Sequence, residues 1–252
     1  MENALIWLGW IILAFLAAPL LLGTPLVKKT HWIAKRAQLK EWVPERDSEL
    51  ATWLESQRPG LTELGFQFVC YGVLDDYTPQ VSTYFVLFRH PESGLAASAV
   101  KIVNPQMEIQ YTEFSQLFSD GTSLNVNNSK IAPTWRTPER RIFRFPWQQD
   151  IKGLYERYQY IRQQKYPTLT GRYVDQGKEL ETVSAFVSKE GQDLVKAGAY
   201  LADQDPEHLV LTWPGAINAV WANSFPGKQL FAMQELGQSR RIEKEFKQSR
   251  MG

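Results

Sequence analysis

The sequence predicts an α+β protein, an antiparallel β-meander packed by amphipathic helices and carried on an N-terminal transmembrane helix. Three observations predict it: an uncharged aliphatic run from Ala4 to Val27, four apolar segments in the middle of the chain separated by very short polar connections, and two later segments with apolar residues at helical spacing.

The first run, as a helix rising about 1.5 Å per residue, is about 36 Å long, against a hydrocarbon core of about 30 Å. Trp7 and Trp10 stand near one end as interfacial aromatics, and Lys28 and Lys29 close the other. Pro19 and Pro25 are compatible with a membrane helix, Pro25 marking the expected end of its regular part. The order of charges is the reverse of a cleaved signal peptide, which needs bases before its apolar core. Here Glu2 precedes the run, while Lys28, Lys29, Lys35, Arg36 and Lys40 follow it with no acid before Glu41. The expected arrangement is a single-pass protein of the cell (inner) membrane with its C-terminal domain in the cytoplasm.

Residues 28–60 then form a basic juxtamembrane segment and a short helix, and 61–252 a globular domain. The basic segment sets topology and can attract anionic lipid. The net charge of +1 gives no overall basic field, so nucleic acid is not an expected partner. A single cysteine, Cys70, excludes an intramolecular disulfide framework.

Within the juxtamembrane segment, Glu45–Gln57 has a helical face of Leu50, Trp53 and Leu54, ended by Arg58-Pro59-Gly60. Phe66–Leu74, Val81–Arg89, Leu95–Val103 and Met107–Phe118 follow as strands, and connections so short demand antiparallel neighbours. Val81–Phe88 is apolar at both parities and belongs inside the sheet. Met107, Ile109 and Tyr111 alternate with Glu108, Gln110 and Thr112, which predicts a wet face and a place nearer an edge. After Asp150, a candidate N-cap, Ile151, Leu154, Tyr155, Tyr158 and Ile161 form one helical stripe with Lys152, Arg157 and Arg162 opposite. Leu180, Val187, Leu194 and Leu201 recur at heptad spacing, with Glu190-Gly191 as a break or kink.

The search for chemistry is mostly negative. His31, His90 and His208 are scattered, and no zinc spacing, nucleophile elbow or dinucleotide fingerprint occurs, so no catalytic residue, metal ligand or cofactor is assigned. Ser119–Ser129 is the densest polar stretch; it reads as a turn at Asp120-Gly121, or as a ligand-binding rim made of Asp120, Asn125 and Asn127. Asp75-Asp76 reads as a turn. Arg136, Arg140, Arg141 and Arg144, among Trp135, Phe143, Phe145 and Trp147, read as an exposed strand edge with snorkelling arginines rather than as a nucleic-acid surface.

Glu63-Leu64-Gly65-Phe66, Phe118-Ser119-Asp120-Gly121-Thr122 with Asn125–Ser129, Leu211-Thr212-Trp213-Pro214-Gly215-Ala216 and Pro226-Gly227-Lys228 together resemble a group of uncharacterised single-span membrane-anchored bacterial proteins. The resemblance covers most of the part after the anchor and implies no activity, cofactor or site residue. The expected function is a non-enzymatic, membrane-tethered binding or scaffold module at the cytoplasmic membrane surface, with membrane lipids and a membrane protein as partners. The alternatives are an enzyme acting on a lipid or envelope precursor through Asp75, Asp76, Glu113 and Asp120, and a subunit of a larger membrane complex. Finally, Leu209–Gly227 carries no formal charge but is too polar to span. It is expected either to fold back onto the membrane through Trp213 and Trp221 or to cover the sheet as a core helix.

Overall fold

The computed structural model describes residues 2–45 and 48–250, without the side chains at 2–5, 8, 9 and 11–13. Helix α1 (Glu2–Thr30) runs through Pro19 and Pro25, so Pro25 does not end it. Among the described residues no helix is long and apolar enough to cross a membrane. Seven of the 24 positions of the expected anchor, 4, 5, 8, 9 and 11–13, have side chains outside the described residues. Strands β1 (Trp32–Ala34) and β2 (Lys40–Glu41) follow, within the basic segment.

Helix α2 (Glu49–Ser56) begins on Ser48, whose Oγ accepts from the Ala51 amide at 3.1 Å. The expected helix also took in positions 46 and 47, which lie outside the described residues. Arg58-Pro59-Gly60 does not stop the helical chain: Pro59 opens the short α3 (Arg58–Glu63), since proline at a first turn loses no hydrogen bond.

The meander is β3 (Gln67–Thr78), β4 (Val81–Arg89), β5 (Ala96–Asn104) and β6 (Met107–Leu117), antiparallel throughout. Asp75-Asp76 is not a separate connection but an irregular stretch near the end of β3, where Asp76 takes a positive φ and the register shifts. The sheet continues with β7 (Ser123–Asn127), antiparallel to β6, and β8 (Arg140–Arg144), parallel to β7, in the order β2-β3-β4-β5-β6-β7-β8. Two expectations change here. Strand β6 is interior, not near an edge, because the polar stretch after it returns as β7; Glu108 and Gln110 are exposed as the wet face requires, while Thr112, Phe114 and Gln116 are buried.

Both faces of the sheet are covered, as β4 requires: Phe85, Val86, Leu87 and Phe88 are all buried. The first face carries Phe88, Ala97, Phe114, Leu124, Val126 and Phe143. It packs on α2, α3 and α4 (Ile151–Lys165), which is capped by Asp150 through the Gly153 amide at 2.6 Å. The second face carries Phe85, Leu87, Val100 and Tyr111 under α5 (Glu179–Lys196). Gly72 is required on that face, since a Cβ there would lie 2.2 Å from the Phe85 ring.

Helix α5 is unbroken at Glu190-Gly191. Gly191 instead provides close approach, because its Cβ would meet Leu209 at 3.2 Å and Tyr77 Oη at 3.3 Å. The helix stops at Lys196, and the expected continuation is strand β9 (Tyr200–Leu201), which with β10 (His208–Leu211) and β1 makes a second sheet in the order β1-β10-β9.

Helix α6 (Trp213–Asn223) and helix α7 (Gly227–Ser249) complete the chain. Helix α7 covers the β8 edge: Ser239 Oγ accepts from the Arg144 amide at 3.2 Å, and buried Glu235 receives Arg144 Nε at 2.7 Å as well as Arg136. The arginines of this stretch therefore do not all snorkel outward. Arg157, expected on the polar face of α4, is also buried, held by both oxygens of Glu243 at 2.6 Å. A buried fork–fork pair of this kind fixes how α7 docks on α4, because separating the partners leaves a charge without water.

Phe88, fully buried in the first-face core, gives a stability test: Phe88→Ala costs about 3–5 kcal/mol in a denaturant titration. A second test concerns pH. Burial alone would raise the Glu243 carboxyl, but hydrogen bonds and charge from Arg157 and Lys247 hold it below its ordinary 4.5. The unfolded chain therefore binds this proton more readily. The contribution is present above the ordinary glutamate range and is lost as pH falls through the lowered value. Stability measured from pH 7 to 3 falls in this window, and Glu243→Gln, less stable at pH 7, shows a smaller fall.

Candidate functional site

The register of the large sheet brings together residues that are far apart in sequence. Glu113 pairs with Asn127, Ser115 with Asn125, Ser123 with Arg140, and Ser98 with Glu113. By the period of two these side chains share the second face, under α5. That face grades from apolar at β4 and β5 to polar at β6, β7 and β8.

One helix does not fill the space above so broad a face. A cavity of about 340 Å³ remains between the sheet and α5. Its apolar end is lined by Phe85, Leu87, Val100, Val183 and Phe186, and its polar end by Tyr111, Glu113, Ser115, Asn125, Arg140 and Glu190. Arg172 and Tyr173, both exposed, stand at its margin.

The polar end is a connected network. Ser115 Oγ donates to Glu113 Oε1 at 2.8 Å and lies 2.9 Å from Asn125 Oδ1; Asn127 Nδ2 donates to Glu113 Oε2 at 2.8 Å; Asn125 Nδ2 donates to Ser123 Oγ at 2.8 Å. Arg140 Nη1 donates to both oxygens of Glu190 at 2.6 and 2.9 Å. Burial works against the Arg140 charge, but the Glu190 and Glu113 carboxylates outweigh it and raise its pKa. Burial pushes the Tyr111 hydroxyl up, with the Glu113 carboxylate adding to the effect. One atom is unsatisfied: Arg140 Nε is buried without a hydrogen-bond partner. Glu113, bonded by Ser115 and Asn127, forms no ion pair within 4.0 Å among the described residues.

Asn125 and Asn127, expected on a loop rim, are thus in the site, but as buried residues of β7. Asp120 is not: it accepts from the Thr122 amide and hydroxyl at 2.9 and 2.6 Å, closing the turn, and those bonds hold its carboxyl below the usual range. Of the four carboxylates considered for catalysis, the cavity lining includes Glu113 and none of Asp75, Asp76 or Asp120. Cys70 lies outside the lining, and burial pushes its thiol up to about 11. Among the described residues no group of histidine, cysteine and carboxylate side chains could hold a metal ion. No protein-family model, curated protein or solved structure matches the chain.

A second surface lies on α6. Helix α6 packs on the C-terminal half of α1: Gly23 leaves room for Val220, whose Cγ1 would lie 3.3 Å from an added Cβ, and the Lys28 ammonium sits 5.5 Å from the Trp213 ring centre. The two contacts run in opposite order along the helices, so α6 folds back antiparallel to α1. Its inner face buries Gly215, Ala216 and Val220. Its outer face leaves Trp213, Ile217 and Trp221 exposed, Trp213 by 55%, and Phe225, Leu230 and Met233 continue the exposure into α7. Gly227 is required at that junction, since a Cβ there would lie 2.2 Å from the Trp221 carbonyl oxygen. Leu209–Gly227 therefore divides between the alternatives: β10 and the inner face of α6 join the small-sheet core, while the outer face of α6 covers nothing.

Sequence reasoning picked out Trp213 and Trp221 but missed Glu190 and Tyr111 as site residues. The polar residues at alternate positions of β6 and β7, Glu113, Ser115, Ser123, Asn125 and Asn127, are the signal that could have found the network.

Proposed function

We propose that the chain is a non-enzymatic binding module tethered to the cytoplasmic surface of a membrane. Helix α1 is its anchor, membrane lipids are its first partner and a membrane protein a further one. The observation that carries the reading is the unpaired apolar face of α6. Trp213, Ile217 and Trp221 recur once per helical turn, and α1, against which α6 lies, exposes Leu21, Leu22 and Leu26 as well. In water so much exposed apolar surface is unfavourable; beside an anchor helix it is where lipid would sit. Tryptophan suits the boundary between dry and wet. Lys28, Lys29, Lys35 and Arg36 stand where α1 leaves the bilayer in this arrangement, on the side that positive charge marks as cytoplasmic. Helix α6, about 16 Å long, would reach about halfway through one bilayer alongside α1 and carries no charge to prevent it. The enzyme alternative gains nothing from the cavity, which brings in only one of its four carboxylates.

A nitroxide at Ile217→Cys, in full-length protein with Cys70→Ser and in phospholipid bilayers, tests the α6 contact. The expected result is high accessibility to oxygen and low accessibility to a water-soluble nickel chelate. The reverse pattern, like that of a label on exposed Glu207, overturns it. For orientation, a C-terminal reporter active only outside the cytoplasm should be silent; strong activity reverses the topology.

A further inference from the structure

The cavity under α5 has an apolar end, a polar end and one buried arginine nitrogen without an acceptor, and together these define a ligand. We infer that it binds a neutral single-chain amphiphile whose head group both donates and accepts hydrogen bonds, such as a hydroxyl or primary amide.

The head follows from charge and hydrogen bonding. Buried Arg140 Nε has no acceptor, so it calls for an oxygen. Glu113 accepts from Ser115 on one oxygen and from Asn127 on the other, and lone pairs remain for one more donor. A hydroxyl or amide can accept from Arg140 and donate to Glu113. An alkyl carboxylate would bring a third negative charge beside Glu113 and Glu190, and an alkylammonium has no lone pair to offer Arg140 Nε. The tail follows from the other end, where Phe85, Leu87, Val100, Val183 and Phe186 supply apolar surface, with the small side chains of Thr83 and Ser98 among them. At about 30 Å³ for each water-sized group, 340 Å³ holds about eleven such groups, enough for a ten-carbon chain with its head oxygen. The volume lies at the lower end of the range for small-molecule sites. The inference stands on the cavity; tethering adds only a source, since the bilayer dissolves such molecules.

The test is photolabelling of the full-length protein in phosphatidylcholine nanodiscs with a diazirine-bearing analogue of 1-decanol, mapped by peptide mass spectrometry. Saturable labelling within 81–100 and 179–190, displaced by 1-decanol and not by decanoate or decylamine, supports the inference. Val183→Trp, which fills the cavity from α5, should remove that labelling while circular dichroism stays unchanged; if this variant unfolds, Ser98→Leu fills it from the sheet. Glu113→Gln keeps the size and removes the charge. It should weaken 1-decanol about tenfold, the cost of a hydrogen bond to a charged group, and admit decanoate as a competitor. Three results overturn the inference: label confined to α1 and α6, equal displacement by decanoate in the unsubstituted protein, or undiminished labelling in the filled variants. Label in the cavity without label on α6 supports the inference and counts against the tethering reading, so the two fail separately.

Discussion

A sheet that is apolar on both faces must be covered on both, and the rest of this structure depends on that demand. Strand β4 sets it, since Phe85 and Leu87 point one way and Val86 and Phe88 the other, all buried. Three helices answer it on the first face, where Leu54, Leu61, Leu154 and Ile161 are fully enclosed. On the second face α5 is the covering helix, and one helix about 10–12 Å wide cannot cover strands spaced about 4.8 Å apart all the way from β3 to β8. The sheet meets the shortfall in two ways. Near β4 the Phe85 ring fills the space a Cβ at Gly72 would take. Towards β8 the side chains become polar and bond to one another, and the cavity lies between these two solutions.

Charge organises the remaining packing. Glu235 and Glu243 lie in a stretch of α7 that also carries Arg240, Arg241, Lys244 and Lys247, and in an isolated helix they would offset those bases. In the fold they turn inward to Arg144 and Arg157, while most of the bases stay outside. Such pairs add little net stability over an apolar contact, because desolvation cancels most of the attraction. Their consequence is specificity: α7 has one docking position on β8 and α4. The start of α7, with exposed Leu230 and Met233, is thereby held next to α6.

Much of this was legible in the sequence where the cause is local. The meander could be read because period-two alternation and connections as short as Asn104-Pro105 leave strands no choice but to pair with their neighbours. The Asp150 cap could be read because capping acts over three residues. Strand β7 could not: Ser123, Asn125 and Asn127 have turn-forming side chains, and only pairing with β6 makes them strand residues. The parallel partner β8 arrives after a long excursion from residue 128 to residue 139, beyond the reach of any spacing rule. Glu190-Gly191 looked like a helix break because glycine lowers helix propensity, yet Gly191 is where the small sheet and Tyr77 come close. The site was half visible. Asn125, Asn127 and Glu113 were noticed for their chemistry, but their meeting with Arg140 and Glu190 is a product of register and helix packing.

The central claim is that α5 covers the second face incompletely and leaves real space, and Ser98→Leu tests it most directly. Ser98 lines the cavity in register with Leu87 and Glu113, so a larger apolar side chain there either fills space or collides. The account predicts a gain of about 0.5–2 kcal/mol in a denaturant titration, the usual return from filling a cavity. A loss of about 1–3 kcal/mol, the cost of overpacking a full core, would contradict it.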